Sequence, residues 1–303
     1  MIIQRLISYS SKLPKYLNME SRTALGNPYY SDDRVILLAN FLAEYLVEPG
    51  IEIEAKIGNF IFQEEKPDFK QISMIDLQRY RGRFESDISA LTFISLMEKL
   101  KENSVPFTFI ETEDTLYSSK KKNSKIRQTI NSNNEVIATI EKSRLADINF
   151  LINPTTGLGF RISANTEINL EEIPQESSVS AIRKKARHSF RYQYLELDFT
   201  EASMGGKKSF EVELEIADVP FVKNHVDSFL SGKDRNSLLG IANKIWNNVL
   251  AMAYHRPKAP LPHIKENEEV LKARNEKYES HWGNTHPVIG DYLYEIILEN
   301  NFQ

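Results

Sequence analysis

The chain has 303 residues, with 38 Lys plus Arg against 42 Asp plus Glu, a formal charge of −4 and no cysteine. These figures exclude disulfides, Cys-ligated zinc, iron–sulfur clusters and a thiol nucleophile, and they argue against a coat protein that is basic all over. Any metal site must draw on carboxylates, imidazoles or water, a donor set suited to hard ions, and no apolar run approaches the ~20 residues that span a bilayer as a helix.

In chain order, residues 1–31 read as an irregular lead-in, with Arg5, Lys12 and Lys15 but no acid before Glu20. That composition faintly resembles an organelle transit sequence, without a sustained amphipathic pattern, and it has no apolar stretch of the secretory kind. Ser31, Asp32 and Asp33 predict the capped start of a helix running to about Val47, with Val35, Leu38, Leu42 and Leu46 on one stripe. Pro49–Gly50 ends it, and a strand follows over Ile51–Phe62. A second helix is predicted over Glu85–Lys101, carrying Ile88, Leu91, Phe93, Ile94, Met97 and Leu100 on a broad apolar side. From Phe107 to about Ala217 the pattern is a succession of short strands, with turns at 131–134, 154–157 and 205–208. Two helices are predicted at about 220–231 and 235–254. Pro257, Pro260 and Pro262 then make an extended connector to an acidic helical segment. The chain thus divides into an extension at 1–31, a body at 32–256 and a tail at 257–303. The order predicts an α+β or barrel protein, not alternating βαβ.

Side chains alternate across a strand, so i, i+2 and i+4 share a face. Glu52, Glu54 and Lys56 lie opposite Ile51, Ile53, Ala55 and Ile57, and Glu211, Glu213 and Glu215 lie opposite Phe210, Val212, Leu214 and Ile216. Arg161, Ser163, Asn165 and Glu167 form a third polar face, and Glu196, Asp198 and Thr200 a fourth. Basic strands accompany them: Lys125, Arg127 and Thr129; Lys142 and Arg144; and Arg183, Lys185, Arg187, Ser189 and Arg191, where the odd-numbered register is taken for a crowded basic segment. A solvated antiparallel sheet explains any one such strand. Three carboxylates in a row, ~7 Å apart along a strand, repel unless a cation compensates them. Segregated acid and base suit a site that takes a cation on one side and a polyanion on the other. Closing the sheet into a barrel with its polar face inward concentrates both fields in one cavity, which is the equipment of metal-dependent phosphoryl chemistry.

The Glu-x-Glu-x-Lys strand at 52–56 and the Glu-x-Glu-x-Glu strand at 211–215 resemble the paired glutamate motifs of the triphosphate tunnel metalloenzymes. Lys185-x-Arg187-x-Ser189-Phe190 and Leu197–Asp198–Phe199–Thr200 resemble, within that group, the fungal mRNA 5′-triphosphatases of the capping apparatus. The resemblance spans roughly residues 33–256. It implies a closed eight-stranded antiparallel tunnel with a polar interior, flanked by helices, that uses Mn²⁺ or Mg²⁺ to remove the γ-phosphate from 5′-triphosphate RNA. Carried over by motif, Glu52, Glu54 and Glu215 would ligate the metal, while Arg127, Lys142, Lys185 and Arg187 would bind phosphates. Glu167 resembles the glutamate that positions or deprotonates the attacking water. Asp198, Thr200, Glu211 and Glu213 would support the basic residues, Lys56 belongs to the first motif, and Arg161 is a further candidate phosphate ligand. The resemblance also implies a nuclear location and association with guanylyltransferase or the RNA polymerase II C-terminal repeat domain, while the apolar ridge of a C-terminal helix suits pairing into a homodimer. The aromatic-basic docking segment of some fungal relatives has no counterpart in residues 1–31.

Three rivals remain open on the sequence: a tunnel phosphohydrolase acting on free NTPs, tripolyphosphate or thiamine triphosphate; a polyanion-binding or metal-storing barrel without activity; and a cargo barrel, whose interior should be apolar. The six histidines show no metal spacing, and His188 falls off the inward face. Residues 204–209 lack the Gly and the Ser or Thr of a phosphate loop and read as a hairpin. Lys120–Lys122 suit either a solvated loop or an RNA contact at the tunnel mouth, Glu113 and Asp114 could face the tunnel but match no motif, and no Gly-x-Ser-x-Gly elbow occurs.

Overall fold

Strand alternation builds this molecule with its apolar side outward. In the computed structural model, the described residues are 22–29, 32–63, 67, 69, 71–119, 124–234 and 236–257. Expectations for residues 1–21, for Ser31, for Lys120–Lys122 and for the tail beyond residue 257, including its dimer-forming helix, lie outside them. The elements in order are α1 (Arg34–Tyr45), β1 (Ile51–Phe62), β2 (Ser73–Met74), β3 (Gly82–Glu85), α2 (Ala90–Glu102), β4 (Phe107–Ser118) and β5 (Ser124–Asn131). There follow β6 (Val136–Leu151), β7 (Leu158–Asn169), β8 (Val179–Tyr192), β9 (Leu195–Met204), β10 (Lys207–Ile216), α3 (Val219–Leu230) and α4 (Asn236–Ala253).

Eight strands close an antiparallel barrel in the order β1–β10–β9–β8–β4–β5–β6–β7, with β7 returning to β1. The short β2 and β3 lie off this ring and lengthen β6 and β1 at one end. The core sits outside the barrel wall. Ile53, Ala55, Ile57, Phe160, Ile162, Ala164, Leu197, Phe199, Val212, Leu214 and Ile216 are no more than 2% exposed and belong to the cluster that includes the buried faces of all four helices. Each such aliphatic or aromatic side chain contributes about 1.5–3 kcal/mol by leaving water. Trp246 of α4 meets the edges of Phe150 and Phe160, with ring centroids 4.9 and 5.3 Å away. Its Nε1–H donates to Asp32 Oδ2 at 3.1 Å, tying α4 to the start of α1.

Local chemistry sets the ends of the elements. Asp32 Oδ1 accepts from the Arg34 backbone N–H at 2.9 Å, whereas Asp33, the residue at the cap, makes no side-chain cap bond. The second helix starts at Ala90 instead of Glu85, because Ser89 Oγ accepts from the Thr92 N–H at 3.1 Å. Glu85 closes β3 opposite Asn59, and the Ile88 N–H donates to the Phe210 carbonyl, so extended pairing overrides helical periodicity there. The β9–β10 hairpin turns on Gly205 and Gly206, both left-handed, as a two-residue loop requires.

Candidate active site

The barrel interior is a tunnel of interlocked charges. Strand β1 contributes Glu52, Glu54 and Lys56, and its register sets Glu54 opposite Glu215 and Lys56 opposite Glu213 on β10. Lys56 Nζ lies 2.6 Å from Glu213 and 3.4 Å from Glu54. Lys142, from β6, bonds Glu52 and lies 3.3 Å from Glu54 and 3.5 Å from Glu167 on β7. Burial resists the charge on Glu54, yet Lys56, Lys142 and Arg144 together hold its carboxyl below the usual range. Glu213 is likewise buried and is held well below that range by Lys56 and Arg187. Glu52 goes the other way, raised by burial and by Glu54. Glu215 is pushed up to about 8 by burial, then by Glu52 and Asp198, and among the described residues it makes no ion pair.

The opposite wall carries most of the arginines, each held by a carboxylate. Arg187 of β8 donates from Nε to Thr200 at 2.9 Å and from Nη1 to Asp198 at 2.6 Å, while Ser189 donates to the other Asp198 oxygen at 2.5 Å. A second Arg187 nitrogen lies 3.7 Å from Glu213, which joins the two walls. Lys185 pairs with Asp114 of β4 at 2.7 Å, and Asp114 also accepts from Thr129 at 2.8 Å. Arg127 of β5 lies 3.7 Å from Glu167, and Arg183 lies 3.2 Å from Glu211. Arg161 donates to Asn149 at 2.9 Å, and its guanidinium lies 4.9 Å over the Phe84 ring. The ion pairs thus join all eight barrel strands across one interior, whereas Lys125 is exposed and Arg191 pairs with Glu196 at 3.7 Å near the rim. His188 points outward, against Phe107 and Phe109.

Two interior side chains, Asp147 and Asn149, escaped the sequence reading. Asp114 matches no motif, and only its pairing with Lys185 and Thr129 reveals its place. Asp147 accepts from Arg144 and Ser163 at 2.8 and 2.7 Å, and Asn149 holds Arg161. Alternation from Lys142 and Arg144 sends both to the outer face. A bulge between Arg144 and Ala146 adds one residue, leaves Leu145 exposed and turns Asp147 and Asn149 inward. Asn165 shares the inward face already read on β7 and bridges Arg144 to Glu52. The β4–β8 pairing, with its long sequence separation, is the fact alternation alone does not supply.

The donor set fits a divalent cation at Glu52, Glu54 and Glu215: all three are carboxylates, Glu54 Oε1 is buried without a hydrogen-bond partner, and at Glu215 burial, Glu52 and Asp198 outweigh the pull of Lys142. Among the described residues no three such groups are gathered tightly enough to hold an ion as they stand. The reason is visible in the ion pairs: Lys142 and Lys56 stand between the carboxylates and already compensate their repulsion.

A structure of the S. pombe Pct1 RNA triphosphatase in complex with the Spt5 CTD is similar to this chain, with a TM-score of 0.67 and 24% identity, over 79% of this chain and 99% of that one. A structure of S. pombe Pct1 alone gives 0.65 and 24%, over 82% and 100%. No curated protein matches the chain. The family profile described as "mRNA capping enzyme, beta chain", that of the mRNA triphosphatases, matches residues 32–257, from the cap of α1 through the end of α4. The chain belongs to the mRNA capping enzyme beta chain family, whose members are RNA 5′-triphosphatases.

Proposed function

We propose that this tunnel hydrolyses the γ-phosphate of 5′-triphosphate RNA in a metal-dependent reaction, the first step of mRNA cap formation, with Mn²⁺ or Mg²⁺ held by Glu52, Glu54 and Glu215. One observation carries the reading: among the described residues, four of the six buried side-chain polar atoms left without hydrogen bonds belong to charged groups of the tunnel strands. Glu54 Oε1 and Glu167 Oε1 are acceptors, and Arg127 Nε and Arg183 Nε are donors. Buried, unpartnered groups cost ~1–3 kcal/mol each and persist where a ligand completes them. A cation together with anionic oxygens would complete both the acceptors on Glu54 and Glu167 and the donors on Arg127 and Arg183.

When bound, the cation withdraws electron density from the phosphoryl oxygens and offsets charge built up at the transferring phosphorus. The protein's own groups do the rest. Arg127, Lys142, Lys185 and Arg187 bind the triphosphate oxygens, and the forks holding Arg187 and Lys185 fix them before substrate arrives. Glu167, beside Arg127 and Lys142, orients or deprotonates the attacking water in line with the leaving group. Asp198, Thr200, Glu211 and Glu213 keep the basic groups in place, and Lys56 and Arg161 line the path taken by the remaining phosphates. The capping role supports a nuclear location, and the Pct1 complex with the Spt5 CTD supports a repeat-domain partner in the transcription machinery. No described helix is long and apolar enough to cross a membrane.

The test is phosphate release from 5′-triphosphate RNA, ATP and tripolyphosphate side by side, each with Mn²⁺, with Mg²⁺ and with chelator. RNA turnover that vanishes with chelator supports the proposal. Turnover of tripolyphosphate alone favours the free-phosphate reading, and binding of all three without turnover favours an inactive barrel.

A further inference from the structure

Two neighbouring rungs of the barrel wall carry side chains that the reaction leaves without a role. Register sets Glu52 of β1 opposite Asn165 of β7, and Asn165 opposite Arg144 of β6. The next rung sets Glu54 opposite Ser163, and Ser163 opposite Asp147. Hydrogen bonds join both rungs into one chain. Ser163 Oγ donates to Asp147 Oδ1 at 2.7 Å, and Arg144 Nη1 donates to the same oxygen at 2.8 Å. Arg144 Nε donates to Asn165 Oδ1 at 2.8 Å, and Asn165 Nδ2 donates to Glu52 Oε2 at 3.1 Å. Arg144 Nη2 lies 3.7 Å from Glu54 Oε1, beyond hydrogen-bond reach.

The β6 bulge makes this chain of bonds possible. In an unbroken strand Arg144 and Asp147 would point to opposite faces, because side chains alternate. The extra residue between Arg144 and Ala146 brings both to the interior, where Asp147 grips the guanidinium. Arg144 in turn decides which way the Asn165 amide faces. A guanidinium can only donate, so the amide oxygen must turn toward it, and the amide N–H groups are left for the Glu52 carboxylate. Asn165 is 0% exposed, so water does not compete for either end.

Among the described residues, Glu52 is held by Lys142 and Asn165. Lys142 is shared with Glu54 and Glu167, at 3.3 and 3.5 Å, and its ammonium is a compact point charge with rotatable donors. The directional hold on Glu52 therefore comes from the planar Asn165 amide. Hydrogen bonds of this kind, from a neighbour to a ligating carboxylate, orient the ligand for its ion. We propose that Asn165 is a positioning residue for the metal site, held by Arg144 and Asp147, and that it turns the Glu52 carboxylate toward the ion shared with Glu54. This role rests on the metal-dependent reading above and adds to it a residue that acts through Glu52.

The test measures Mn²⁺ binding to the full chain without substrate, by loss of the free-ion electron paramagnetic resonance signal, for wild type, Asn165→Ala and Asn149→Ala. Asn165→Ala changes no charge, so it frees Glu52 without altering the net charge around the carboxylates. Expected is about tenfold weaker Mn²⁺ binding by Asn165→Ala, the scale of loss for a ligand's hydrogen-bonded support, with a cooperative thermal transition in chelator showing that the variant is folded. Asn149→Ala removes a buried amide from the same wall, but one bonded to Arg161, and should bind Mn²⁺ as wild type does. If Asn165→Ala lacks a cooperative transition, Asn165→Thr carries the same expectation, since Thr suits a strand and cannot reach both partners. Wild-type affinity in the folded variant, or an equal loss in Asn149→Ala, would overturn the positioning role and leave the metal site standing. No Mn²⁺ binding by wild type would instead sink the metal site of the proposed function, and the positioning role with it.

Discussion

Asp114 holds the Lys185 ammonium at 2.7 Å, with both side chains almost sealed from solvent. Burial pulls the Lys185 ammonium below its ordinary range, and Arg187 and Arg127 pull in the same direction; Asp114 is the group that opposes them. Replacing Asp114 by Ala removes that counterion and favours a neutral amine that cannot bind phosphate. Asp114→Ala should lower kcat/KM on triphosphate RNA by ~10²-fold, with its pH profile shifted to lower pH. A merely structural role for Asp114 predicts lower thermal stability with an unshifted profile.

Arg187 is held as a fork, Nε on Thr200 and Nη1 on Asp198. Lysine offers one compact ammonium and cannot satisfy both partners while facing substrate. Arg187→Lys should therefore lose at least ~10-fold in kcat despite keeping its charge, about 1.4 kcal/mol of transition-state stabilisation. Wild-type kinetics in that variant would show that charge alone suffices.

Gly58 is required by space. A Cβ there would stand 2.1 Å from the Glu85 carbonyl oxygen and 2.9 Å from Phe84 Cζ, at the point where β3 replaces β10 beside β1. Gly58→Ala should destabilise the fold by ~1–3 kcal/mol, the cost of overpacking, and part of that cost should appear as a displaced β3. Denaturant titration and protease cleavage within residues 71–85 measure both, and an unaltered midpoint would contradict the close approach.

His255 gives stability a pH dependence. Its pKa is brought down to about 4 by burial, then by Arg256 and Lys99, and its Nε2 lies 2.8 Å from Ser95 Oγ. The unfolded chain takes up this proton near the ordinary value of 6.5, whereas the folded chain resists it until about 4. The contribution of neutral His255 is present above pH 6.5 and is lost as pH falls toward 4. Urea midpoints measured from pH 7 to 4 should decline less steeply in His255→Gln than in wild type. Parallel declines would remove His255 as a cause.

Much of this architecture is legible in the sequence because a strand with one buried face must alternate. The faces of β1, β7, β8, β9 and β10 follow from that rule, and their polar sides do meet in one cavity. The side on which the core lies, outside the barrel, follows from the same alternation once the ring closes. Alternation fails where the backbone breaks its period, as at the β6 bulge that turns Asp147 and Asn149 inward. It is silent on partners distant in sequence, so the pairing of Asp114 with Lys185 was not legible. It also does not foresee that the tunnel's own lysines occupy the gaps between its glutamates.

Glu54 carries the central claim, since it is buried, flanked by Lys56 and Lys142, and has one oxygen without a hydrogen bond. The most direct measurement is release of labelled γ-phosphate from 5′-triphosphate RNA by wild type and by Glu54→Gln, at matched Mn²⁺ concentrations. The tunnel mechanism predicts metal-dependent release by wild type and a loss of ~10²-fold or more in Glu54→Gln, with the variant folded and its thermal midpoint no longer raised by Mn²⁺. Undiminished release by Glu54→Gln, or wild-type release that persists in chelator, would contradict it.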